Sequence, residues 1–165
     1  MPTVAVTGHM DLTAATAKRV EIALRRFLAE LYGKGGELVG VSCLASGADT
    51  LFAEAVVDTG GTLVAVLPSR DYRAAHVTAD HAPAFDRLVD AASEVVVMPF
   101  DGAERQAYEA ANTELIERAD MLVAVWDGTP PSGQGGGTAD TVQEARRAGV
   151  PVRVVWPEGA ARVSG

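Results

Sequence analysis

Gly133-Gln134-Gly135-Gly136-Gly137-Thr138-Ala139-Asp140 stands between an apolar run that ends at Trp126 and a helical pattern that runs to Ala148. A glycine-dense turn that leaves a strand and opens a helix exposes backbone N–H groups at the positive end of a helix dipole, which suits a phosphate. The stretch predicts an α/β unit that holds a phosphorylated ligand at Gly135, Gly136, Gly137 and Thr138.

Outward from that turn the chain alternates two periods. Short apolar runs at 4–6, 38–43, 63–67, 95–98, 122–126 and 152–156 are strand-length and rich in β-branched residues, as strands covered on both faces tend to be. Between them, Val20, Leu24, Phe27, Leu28 and Leu31 form one helical stripe and Leu51, Phe52, Ala55 and Val56 another. The same spacing recurs at Phe85, Leu88, Val89 and Ala92, at Tyr108, Ala111, Leu115, Ile116 and Ala119, and at Val142, Ala145 and Ala148. Gly33, Gly60 and Gly149 sit where helix stops are expected, and Pro151 blocks continuation of the last helix. Six strands alternating with five helices predict a three-layer, doubly wound parallel sheet of Rossmann-like type, with strand order 3-2-1-4-5-6 and a ligand crevice where the order reverses. Loops after strands 1, 2, 4 and 5 are expected to line it.

Composition narrows the class. The 165 residues are 48% apolar, which fits one domain over 1–165, with 158–165 small, polar and expected to be loose. A net charge of -8 disfavours tracking along a phosphate backbone, so no nucleic-acid partner is expected, while local dipoles leave small anions possible. Cys43 is the single cysteine, and no basic leader or apolar span is visible, so a cytoplasmic location with no membrane partner is expected.

The unusual residues fall at the carboxyl ends of the strands: Thr7-Gly8-His9 after the first, Ser46-Gly47-Ala48-Asp49 after the second, and Asp127-Gly128 after the fifth. Together with Asn112 these are the candidate ligand contacts. His9 can donate to a phosphate or stabilise its own loop, and Asp49 can cap the second helix or accept from a ribose hydroxyl. Neither G-x-G-x-x-G nor G-x-x-x-x-G-K-[ST] follows strand 1. His9, His76 and His81 lack the spacing of known zinc sites, and neither a metal nor a cofactor is expected.

Ser46-Gly47-Ala48-Asp49, Tyr108 with Asn112 ahead of Ala119-Asp120, and Gly136-Gly137-Thr138-Ala139-Asp140 together resemble the SLOG superfamily, which contains the LOG phosphoribohydrolases and DNA-processing protein A. Thr7-Gly8-His9, and Leu67-Pro68 with Tyr72, are similar to bacterial members of the same group. The resemblance implies a nucleotide-binding fold, a homodimer, and phosphate held where the glycine-threonine motif opens the helix. It also exposes departures. LOG enzymes carry P-G-G-x-G-T-x-x-E with a catalytic glutamate, whose position here is Thr141, and an Arg-Lys pair whose positions are Ala111 and Asn112. The sequence therefore predicts a nucleotide or nucleotide-derivative sensor, the alternative being a nucleoside-monophosphate N-glycosidase that uses Asp140, Glu144 or Asp127.

Overall fold

A computed structural model describes residues 2–35, 37–133 and 135–163. Six parallel strands, β1 (Thr3–Gly8), β2 (Val39–Ser42), β3 (Thr62–Leu67), β4 (Glu94–Val97), β5 (Met121–Val125) and β6 (Val152–Val154), form one sheet. The connecting helices are α1 (Ala14–Gly35), α2 (Ala48–Thr59), α3 (Tyr72–His76), α4 (Ala82–Ala91), α5 (Arg105–Arg118) and α6 (Thr138–Arg147).

The period-2 geometry of the strands sorts the core into two layers. Val4, Val6, Leu63 and Ala65 pack with α1 and α2 residues such as Leu24, Leu28 and Phe52, whereas Ala5, Val41, Val64 and Val66 pack with Ala111 and Leu115 of α5 and Ala145 of α6. At Gly40 of β2 an added Cβ would lie 2.4 Å from Val56 Cγ2, so α2 rests directly on the strand. Helix ends follow from local chemistry. Thr13 Oγ1 accepts the Thr16 N–H at 3.2 Å and caps α1. Gly60, with φ of 95°, closes α2, and the Gly61 N–H returns to the Val56 carbonyl at 2.9 Å.

The Rossmann-like sheet is the one expected, but its order is 4-3-2-1-5-6 rather than 3-2-1-4-5-6. β4 pairs with β3 at the outer edge, where Val95 and Val97 stay 40% and 45% exposed. A run of valines reads the same whether a strand is central or marginal. The reversal therefore falls between β1 and β5, which pair from Val4–Met121 to Gly8–Val125. Two boundaries differ as well: α1 continues past Gly33, and the connection after β3 contains α3, too short to show a stripe.

The carboxyl-terminal segment makes specific contacts over its described part, 158–163. Leu12 and Arg162 form an antiparallel bridge, the Val163 N–H donates to the Asp11 carbonyl at 2.7 Å, and the Ala161 N–H donates to Thr16 Oγ1 at 2.8 Å. Residues 164 and 165 lie outside the described residues. No described helix is long and apolar enough to cross a membrane. The apolar stripe of α5 faces the sheet, and its exposed positions include Arg105, Gln106, Glu109, Thr113 and Glu117.

Candidate functional site

β1 ends under two neighbours. A Cβ on Gly8 would lie 2.5 Å from Ala48 Cβ and 2.8 Å from Val125 Cβ, so only glycine lets α2 and β5 close on the strand end. The Ala48 N–H donates to the His9 carbonyl at 3.2 Å, and Gly47, with φ of 82°, would place a Cβ 2.7 Å from that same oxygen. Gly8 and Gly47 thus serve close backbone approach between two loops.

Above this junction opens a cavity of about 470 Å³, in the size range of small-molecule sites. Seven of the twelve expected contacts line it: Gly8, His9, Asp49, Asn112, Gly136, Gly137 and Thr138. Ser46, Gly47, Asp127, Gly128 and Gly135 do not. The loop after β4 is absent from its wall, because β4 sits at the far edge; Pro68 and Tyr72, beyond β3, are there instead.

The glycine turn uses backbone angles that glycine reaches without steric cost. Gly133, Gly135 and Gly136 have φ of 89°, 76° and 74°, a region that costs L-residues about 1–2 kcal/mol each. Asn112 Nδ2 on α5 donates to the Gly136 carbonyl at 3.3 Å. α6 then starts at Thr138, and its first-turn N–H groups have no intrahelical acceptor. Asp140 Oδ2 accepts the Gly137 N–H at 3.1 Å, which takes up one donor at the mouth and leaves the Thr138 side facing the cavity.

On the opposite wall His9 is held by Asp127. His9 Nε2 lies 3.1 Å from both the Asp127 N–H and its Oδ1, and one ring nitrogen cannot serve both. The carboxylate has other donors as well, the Thr129 N–H at 2.9 Å, Thr129 Oγ1 and Arg162. Burial raises the Asp127 pKa, but the two Thr129 donors and His9 outweigh it and hold the carboxyl well below the usual range. Arg162 Nε bonds Asp11 at 2.9 and 3.1 Å, Arg162 Nη1 lies 3.6 Å from Asp127 Oδ2, and the side chain lines the cavity. Sequence reasoning missed this arginine. It is distant in sequence from every motif and reaches the site only through a non-local bridge.

Asp49 occupies the second position of α2, not its cap. Its Oδ2 accepts the Ala45 N–H at 3.3 Å. Burial lifts its pKa to about 7, against the lowering effect of that hydrogen bond. The loop that carries it is fixed by Leu44, fully buried at φ of 58°, an unusual conformation for a leucine. Its N–H donates to Ser42 Oγ at 3.1 Å and its carbonyl accepts from His81 Nε2 at 2.9 Å. Cys43, with its thiol pushed up by burial, and Tyr72 adjoin Asp49. Tyr72 stacks on His76 at 5.8 Å between ring centres, and Tyr108 meets the same imidazole edge-on at 6.4 Å.

Comparison with solved structures places this arrangement. DNA processing protein A from Streptococcus pneumoniae superposes with a TM-score of 0.70 at 21% identity, over 96% of this chain and 52% of that one. The two share one fold. DNA processing protein A from Helicobacter pylori superposes with a TM-score of 0.68 at 17% identity, over 98% and 68% of the two chains. The molybdenum cofactor binding protein from Rippkaea orientalis gives 0.59 at 18%, over 95% and 77%. This chain thus spans about half the length of the pneumococcal protein. No protein-family model matches the sequence, and neither does any curated protein.

These neighbours correct one expectation. The Helicobacter pylori protein is described by its single-stranded DNA binding mode, so the exclusion of nucleic acid from net charge does not stand. A whole-chain sum of -8 says nothing about the potential inside a crevice, where the start of α6 and Arg162 are the local positive groups. The two positions that depart from the LOG pattern can be placed in the structure. Ala111 lines the cavity without a polar atom, and Thr141 is 1% exposed, its Oγ1 donating to the Gly137 carbonyl at 3.0 Å.

Proposed function

We propose that this chain binds a nucleotide or nucleotide derivative in the cavity at the β1/β5 reversal and acts as a sensor of it, with the phosphate at Gly136, Gly137 and Thr138. The observation that carries the reading is the opening of α6 onto the cavity directly behind two consecutive glycines of positive φ, Gly135 and Gly136. Such a turn offers backbone donors and a helix dipole without a side chain in the way. Calorimetry with a panel of nucleoside mono- and diphosphates and a short single-stranded oligonucleotide tests it on the wild type and on Gly136→Asp. Binding of a nucleotide that falls at least tenfold in the variant is expected; equal binding by both places the phosphate elsewhere.

The reading extends to a homodimer, supported by the uncovered valines of edge strand β4. Light scattering that shows a strict monomer across micromolar concentrations removes that part.

A further inference from the structure

We infer that the Asp49 carboxyl reads the base of the bound nucleotide and selects guanine over adenine. This rests on the nucleotide-binding reading above and names the ligand class for the same cavity. Asp49 is 8% exposed, yet it lines the cavity. The one hydrogen bond to its carboxyl among the described residues is the 3.3 Å contact from the Ala45 N–H to Oδ2, which leaves acceptor capacity for a ligand. Burying a carboxyl with a single weak partner costs free energy unless a ligand completes it. Cys43, Pro68, Leu115 and the ring of Tyr72 supply apolar surface around the same cavity, which suits a flat heterocycle better than a hydroxylated sugar.

The donor pattern then decides between bases. Guanine presents two adjacent N–H donors, at N1 and the 2-amino group, and a carboxylate is an acceptor at both oxygens. Adenine presents one donor beside one acceptor, and its N1 lone pair faces a carboxylate unfavourably. A site built to pair with a ligand's N–H rejects an analogue that lacks it far more strongly than it rejects a small change of shape.

The test is calorimetry at pH 8, where a group with a pKa of about 7 is ionised. Guanosine 5′-monophosphate, adenosine 5′-monophosphate and ribose 5-phosphate are titrated into the wild type and Asp49→Asn. An asparagine amide presents one donor and one acceptor, the complement of adenine. The wild type is expected to prefer the guanine nucleotide at least tenfold, and Asp49→Asn to erase or invert that ratio while ribose 5-phosphate affinity changes less than twofold. Equal affinities in the wild type, or a guanine preference that survives in Asp49→Asn, overturn the inference and leave the cavity reading standing. If neither nucleotide nor ribose 5-phosphate binds, both fall.

Discussion

Asn112 and Gly136 are joined by a 3.3 Å hydrogen bond from the side-chain amide of one to the backbone carbonyl of the other. Its consequence is that the glycine turn, whose positive-φ residues give it few restraints of its own, takes its position from α5, a helix seated on the sheet through Ala111 and Leu115.

Asn112→Ala should therefore weaken nucleotide binding without unfolding the chain. A single hydrogen bond of this kind is worth about 1 kcal/mol, or a five- to tenfold loss of affinity. Calorimetry and thermal melting of the variant check it. A loss of affinity with a melting temperature lowered by no more than a few degrees is the expected pair of results.

Asp49 makes the fold pH-dependent in a defined direction. Its pKa rises from 3.8 to about 7 on folding, so the native state holds more protons than the unfolded state between those values, and stability falls as pH rises through that window. The penalty is complete above about pH 7 and amounts at most to about 4 kcal/mol, at 1.36 kcal/mol per unit. Asp49→Asn keeps an acceptor for the Ala45 N–H and removes the charge. Urea titrations at pH 5 and pH 8 should show the variant gaining on the wild type at the higher pH; a constant difference at both would refute this account.

Two glycines with nearly the same backbone angle should respond differently to alanine. Gly47 and Gly128 have φ of 82° and 87°, but a Cβ at Gly47 meets His9 O and Met10 Cα at 2.7 Å, whereas at Gly128 nothing lies within 4 Å. Gly128→Ala should cost only the conformational strain, about 1 kcal/mol. Gly47→Ala must also separate two loops and should cost at least about 3 kcal/mol. Chemical denaturation of the two variants side by side measures the difference.

Removing Arg162 tests the carboxyl-terminal clasp. Its guanidinium faces Asp11 and Asp127 at about one-third exposure, so Arg162→Ala should lower stability by about 1 kcal/mol and the melting temperature by a few degrees. The same variant deprives the cavity wall of a cation. Affinity for a phosphorylated ligand should drop alongside, more at low salt than at high.

The sheet was legible because alternating buried runs and capping glycines are local signals; 63–67, 122–126 and Gly60 each declare themselves within a few residues. What stayed hidden was non-local. Val95, Val96 and Val97 do not reveal that their strand is marginal, since that depends on which neighbour β4 finds. That Gly8, His9, Asn112 and the glycine-threonine turn line one cavity was readable from their places at strand and helix ends. The burial of Asp49 depends on how the chain closes around it, and the place of Arg162 in the cavity wall on a bridge to Leu12, and neither leaves a mark in sequence spacing.

Hydrolysis of nucleoside monophosphates to free base should be undetectable. Cleavage of an N-glycosidic bond develops oxocarbenium character at the sugar and needs a carboxylate beside it, with cations to orient the phosphate. The position that LOG enzymes fill with glutamate is Thr141, buried and bonded inward to Gly137, and their arginine position is Ala111. Asp140 lines the cavity, but its Oδ2 accepts the Gly137 N–H at 3.1 Å, so it braces the helix start. Thr141→Glu should not create activity, because a glutamate at a site 1% exposed buries a charge in the packing beneath α6 and destabilises the fold by about 3 kcal/mol or more. Chromatography of wild-type protein incubated with adenosine and guanosine 5′-monophosphates reads the outcome directly. Steady turnover in the wild type that vanishes in Asp140→Asn would show instead that this carboxylate leaves Gly137 when substrate binds and does the chemistry itself.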